Sequence, residues 1–296
     1  MENRKKVILI FMAAALLLSA IAAVVQTVIL TGYFDLDSHV YVTGSSAPVL
    51  FNILLAVCSL LFFLLLFLYR EPERKLFPQN NLFFTLSSVL AGVAILAAGI
   101  VFFSFSMKRG ALYGGSSDRT IYGFRMAAAI LSLPSAAYFF LAAFRNKPFR
   151  RNTVLLAFAP ILWTLVFLVS VYYDHSVRLG SPIRIMDQMA LLAVAFFFLF
   201  EARFHMKRPN PGAYFAFSFL SAMLCAVSAI PHVILLVRGK TAFDNVSLFY
   251  LFLCVLILYI FARVSTFFGR EYPEEEPEEI VQEAARETGE ETSSME

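Results

Sequence analysis

Residues 49–69 read VLFNILLAVCSLLFFLLLFLY, twenty-one positions without a charged side chain. A helix rises 1.5 Å per residue, so a run of about 20 apolar residues matches the roughly 30 Å hydrocarbon core of a bilayer. No water is available there to satisfy backbone N–H and C=O groups. A single run must satisfy them internally, as a helix. The same reading applies outward in both directions, to Val7–Leu30 before this run and then to Leu82–Phe105, Phe124–Phe144, Val154–Tyr173, Ile185–Phe204, Tyr214–Val237 and Val246–Phe268 after it. The sequence therefore predicts an all-α integral membrane protein: a bundle of about eight transmembrane helices with short loops.

Composition agrees. The chain of 296 residues is 59% hydrophobic and 15% charged, with 33 Phe, and its mean hydropathy is +0.74. Soluble domains are nearer half apolar and a quarter charged. Eight spans consume more than half of the length, which leaves no room for a separate catalytic domain. Residues 1–270 are read as the transmembrane domain. Residues 271–296 are a cytoplasmic tail with eleven Glu, too charged and too poor in apolar groups to offset the entropy of ordering, and so expected to be disordered.

The first run admits a second reading. Arg4, Lys5 and Lys6 followed by Val7–Leu18 and the small residues Ala20-Ile21-Ala22 fit a signal peptide. The apolar pattern continues through Val24, Val25, Val28, Ile29 and Leu30, which favours an uncleaved helix. Cleavage would leave seven helices with the amino terminus outside.

Lys and Arg distribution sets the expected orientation in a cell membrane. With the amino terminus in the cytoplasm, the inner side carries 16 of the 24 basic residues and the outer side 8. Both termini are therefore expected to be cytoplasmic. All six Asp fall on the outer side under this topology, and all fifteen Glu on the inner side. The basic residues lie in short clusters between apolar runs, as topology requires, and carry no nucleic-acid signature. The inner loops YREPERKLFPQNN, FRNKPFRRN and FHMKRPNP resemble one another. Positive-inside selection and turn chemistry account for this without a repeated unit.

Enzyme signatures are missing. There is no HExxH, no GxSxG, no Gly-rich phosphate loop and no Cys/His metal spacing, so no cofactor, metal or catalytic residue is assigned. Cys58, Cys225 and Cys254 fall within apolar runs and read as packing residues. Polar groups at the span ends are the remaining candidates, because an ionisable side chain costs roughly 2.5–3.5 kcal/mol at the bilayer centre. At the outer ends these are Asn52, Arg125, Asp174, His175, Arg184, Asp187 and His232, expected to converge on an outward-facing pocket. Arg125 is read as opening the fourth helix, and Arg184 is spaced to pair with Asp187 along one face. Asp and His together would suit a divalent metal, but no two have ligand spacing. At the inner end of the sixth run lie Glu201 and Arg203. Fourteen residues separate Asp187 from Glu201, about 21 Å of helix, so each is expected to reach water at its own interface.

Further expectations concern packing. Trp163 should lie inside the bundle with its indole N–H bonded to a neighbour. Pro134, Pro160 and Pro231 should kink their helices. The third run, with Ser88, Ala91, Gly92, Ala94, Ala98 and Gly99, reads as a central packing helix. Three function classes fit. The first is a non-enzymatic sensor, receptor-like or interaction protein that binds a small molecule or a membrane partner at the outer pocket. The second is a small-molecule transporter or channel. The third is a membrane-embedded enzyme acting on a lipid or envelope substrate. The lipid bilayer is the partner implied in every case.

Overall fold

A computed structural model describes residues 2–35, 40–42, 46–68, 80–110, 116–145, 153–174, 180–206, 208, 210–239 and 245–268. The acidic tail, most of the three basic loops and His175 lie outside the described residues. The helices are α1 (Glu2–Gly32), α2 (Ala47–Leu68), α3 (Leu82–Gly110), α4 (Ser116–Phe144), α5 (Ala159–Tyr172), α6 (Pro182–His205), α7 (Pro211–Val237) and α8 (Asn245–Ser265). A 3-10 turn, Val154–Phe158, leads into α5, and another, Thr266–Phe268, follows α8. Between α1 and α2, β1 (Phe34–Asp35) pairs antiparallel with β2 (Val40–Tyr41). Among the described residues, eight helical segments are long and apolar enough to cross a membrane, the fifth comprising the turn Val154–Phe158 together with α5. The chain is thus a multi-pass, all-helical membrane protein, consistent with embedding in a lipid bilayer.

Six helices close into a ring, each packing on the next: α3 on α4, α4 on α5, α5 on α6, α6 on α7, α7 on α8, and α8 back on α3. α1 and α2 pack on the outer side of α7. That makes α7 the central helix. Of its most apolar stretch 67% is buried, as for α8, against 44% for α3 and 28% for α1 and α2; α7 alone also carries α1 and α2. The expectation that the third helix is central is therefore corrected. Of its small residues, Ser88, Gly92 and Gly99 meet one neighbour, α4. A Cβ at Gly92 would lie 2.9 Å from the Phe140 ring, and Ser88 Oγ donates to the Phe139 carbonyl at 2.7 Å. Small residues let two backbones come this close.

Aromatic side chains fill the ring. Trp163 of α5 stacks on Phe167 at 5.4 Å and meets Phe252 of α8 edge-on at 5.0 Å. Phe102 of α3 stacks on Phe167 at 5.2 Å. Nearer the other end, Phe139 of α4 meets Tyr259 of α8 at 5.0 Å and Phe198 of α6 at 5.8 Å. The large Phe content is thus partly internal packing material, since such pairs add about 0.5–1.5 kcal/mol each beyond area burial. Trp163 is buried as expected, but its indole N–H finds no acceptor among the described residues. Its contacts are ring faces and edges, which offer no oxygen.

Sequence boundaries shift, most of all at the start of α4. α4 begins at Ser116, eight residues before the apolar run, because helix geometry continues beyond the part that hydropathy detects. Pro134 and Pro231 lie inside α4 and α7. Pro160 instead occupies the first turn of α5, where its missing N–H would have had no helical partner and no kink is required.

Candidate functional site

The N-terminal end of α6 gathers polar groups from neighbouring helices. Arg184 and Asp187 point inward from it and are only 3% and 6% exposed. Arg125 of α4 forms an ion pair with Asp174, which follows α5, at 2.7 Å. Arg184 Nη1 donates to the Asp174 backbone carbonyl at 2.9 Å, and its guanidinium lies 5.9 Å from the centre of the Tyr172 ring. One turn along α6, Asp187 Oδ1 accepts from Ser228 Oγ of α7 at 2.5 Å, and Oδ2 accepts from the Tyr250 hydroxyl of α8 at 2.9 Å. His232 Nδ1 lies 2.7 Å from the Ser228 carbonyl. A carbonyl oxygen only accepts, so this nitrogen carries a proton. The imidazole stacks on Tyr250, 4.0 Å between centroids and 7° from parallel.

Of the residues singled out in the sequence, the structure links Arg125, Asp174 and Arg184 in one chain of contacts. Asp187 and His232 belong to a second, and a single turn of α6 joins the two. Arg125 does not open α4: it lies nine residues, about two and a half turns, beyond Ser116. Arg184 and Asp187 do not pair with each other. Each turns to a different neighbouring element, and Asp187 takes its hydrogen bonds from hydroxyls. Asn52 stands apart, exposed on α2, a helix that packs on α7 and α1. Ser228 and Tyr250 were not legible as site residues. Ser228 precedes His232 by one helical turn, which was the available signal. Tyr250 lies within an aromatic run and gave none.

A second cluster occupies the C-terminal end of α6. Glu201 is 1% exposed and Arg263 of α8 is 3% exposed. Arg263 Nε donates to Glu201 Oε1 at 2.7 Å, and the Tyr259 hydroxyl lies 3.0 and 3.2 Å from the two carboxylate oxygens. The guanidinium also sits 4.6 Å from the centre of the Phe84 ring of α3. Buried Tyr138, Tyr214 and His205 are nearby. The expectation that Asp187 and Glu201 reach water is thereby corrected: both turn into the bundle, where packed helices supply partners. Arg203, two residues beyond Glu201, lies about 200° around the helix. It is half-buried and donates to the Arg208 carbonyl at 3.2 Å, as an end-of-helix cation should.

Between the clusters the same helices are apolar. The hydroxyls along the way are turned onto their own backbones: Ser218 to Tyr214, Ser221 to Phe217, Thr164 to Pro160 and Ile161, and Ser170 to Phe167. No group of three His, Cys, Asp or Glu side chains converges among the described residues. Comparison of the chain with protein-family models, with curated proteins and with solved structures finds no match.

Proposed function

We propose that this protein is a non-enzymatic membrane sensor or receptor-like protein that takes a small polar ligand at the cluster around Arg125, Asp174, Arg184, Asp187 and His232. The observation that carries this reading is the convergence of α4, α5, α6, α7 and α8 on one polar site at one end of the bundle. The aromatic fill between this site and the Glu201 cluster favours sensing over transport, since transporters place polar groups and broken helices near the midplane. Ligand binding at the junction of five helices would change how their ends pack, and the packed core would carry that change to the other side.

A direct test uses the full-length protein in lipid nanodiscs with a panel of amino acids, small carboxylates and inorganic phosphate. At least one compound is expected to raise the melting temperature of the wild type and not that of Arg125→Ala. Equal shifts in both proteins, or no shift with any compound, would remove the ligand reading. Uptake of a panel compound into proteoliposomes would favour the transporter instead.

The orientation belongs to the same proposal: both termini in the cytoplasm and the Asp187 end outside, supported by the 16-to-8 distribution of Lys and Arg. Reporter fusions at His39 and Gly114 are expected to report an external location, and fusions at Phe77 and Glu296 an internal one. External labelling of both Phe77 and the carboxyl tail would reverse it.

A further inference from the structure

Asp187 and Glu201 are buried on one helix but held by different chemistry. Glu201 has a guanidinium at 2.7 Å. Asp187 has two hydroxyls, and no described Lys, Arg or His nitrogen is within ion-pair distance of it. The difference governs what a proton can do at each site. A guanidinium only donates, whereas Ser and Tyr hydroxyls both donate and accept. Charged Asp187 therefore accepts from Ser228 and Tyr250. Neutral Asp187 can donate its own proton to one hydroxyl and accept from the other. Neither state leaves a buried polar atom without a partner. At Glu201, protonation would remove the negative charge that balances Arg263 and leave a buried guanidinium without its counter-ion.

From this contrast we propose that Asp187 is a proton-binding site at the junction of α6, α7 and α8, with His232 packed beside it. His232 is only half-buried, while Asp187 is almost fully enclosed. Its Nδ1 is fixed on the Ser228 carbonyl and its ring on Tyr250, so it contacts both residues that hold the carboxylate. The charged and titratable groups around the site are Arg184 on α6 itself, His232 from α7, Tyr250 from α8, and Asp174 at the end of α5 with its Arg125 partner from α4. An intramembrane carboxylate with amphoteric partners and a histidine beside it is suited to bind and release a proton without loss of packing.

The site lies in the cluster proposed above to take a ligand, but the test needs none, so the two readings fail separately. The chain has six Asp, few enough for one carboxyl signal each after 13Cγ-aspartate labelling. Full-length protein in nanodiscs would be titrated by NMR, in sodium chloride and in choline chloride. One titrating signal is expected to vanish in Asp187→Asn. Its midpoint should move by about one pH unit in Ser228→Ala or Tyr250→Phe, the equivalent of one hydrogen bond to a charged group, and stay in place in Glu201→Gln. If Asp187→Asn does not insert, the signal that moves in both hydroxyl variants supplies the assignment. An Asp187 signal that keeps one protonation state over the whole pH range of the folded protein would overturn the proposal. So would a midpoint indifferent to both hydroxyl variants. A tenfold dependence on sodium would identify a metal cation as the ligand instead of a proton, and would overturn it as well.

Discussion

Arg263→Ala is expected to lose about 3–5 kcal/mol of stability, the usual cost of removing one partner from a buried ion pair. At roughly 2–4 °C per kcal/mol this is a fall in melting temperature of about 6–20 °C. The loss has two sources in the structure. The Glu201 carboxylate forfeits its 2.7 Å partner inside the bundle. The guanidinium no longer covers the Phe84 ring of α3, so α8 is loosened from two neighbours at once. The Tyr259 hydroxyl remains bonded to Glu201 but brings no positive charge. Replacing both partners should be far milder. Glu201→Gln combined with Arg263→Met keeps the volume and removes both charges, and is expected to recover most of the lost stability. Thermal unfolding of the single and double variants in nanodiscs decides the matter. A single variant that melts within about two degrees of the wild type would show that the pair contributes little.

Gly99→Leu is expected to separate α3 from α4, at a cost near the upper end of the 1–3 kcal/mol typical of overpacking. A Cβ at position 99 would lie 2.7 Å from Ser132 Cβ, closer still to the Ser132 hydroxyl, and 3.4 Å from the Ala129 carbonyl. That hydroxyl is engaged, donating to the Ala129 carbonyl at 2.6 Å, so it cannot swing aside without giving up its bond. Gly99→Ala should show a smaller loss, relieved in part by Ser132→Ala. Gly123 on α4 is an internal control, because a Cβ there meets nothing within 4 Å. Gly123→Ala should be neutral or slightly stabilising, since Gly costs roughly 0.5–1 kcal/mol relative to Ala in a helix. Equal melting temperatures for Gly99→Leu and Gly123→Ala would refute the close-approach account.

The suspect residues were legible for a thermodynamic reason. A charge next to an apolar run is costly, so Arg125, Asp174, Arg184, Asp187, Glu201 and His232 stood out without any structure. Their partners did not. Arg263 was counted as one inner-side cation among sixteen, yet it is buried against a residue 62 positions earlier in the chain. Tyr250 and Tyr259 lie in an aromatic stretch whose rings look interchangeable with the Phe around them. Only the three-dimensional packing shows that their hydroxyls meet Asp187 and Glu201. The same limit explains the corrected expectations for Glu201 and Asp187. Distance along one helix gives depth in the membrane, but not the direction in which a side chain points.

The sequence by itself determined that the chain crosses the membrane, and that it does so as about eight helices, because run length and the need to satisfy backbone groups in hydrocarbon set both. It could not determine which helix is central. Lipid tails are as apolar as a packed core, so a Leu facing lipid on α2 and a Leu enclosed by α7 and α8 carry the same hydropathy. The amphipathic stripe that reveals the inner face of a soluble helix is therefore absent. The tertiary structure alone made α7 the ring helix on which α1 and α2 also pack, turned Glu201 inward and Arg203 outward, and left Asn52 on the perimeter. These outcomes depend on the shapes of facing helices and on the hydrogen-bond partners that meet across them, neither of which is encoded in any single span.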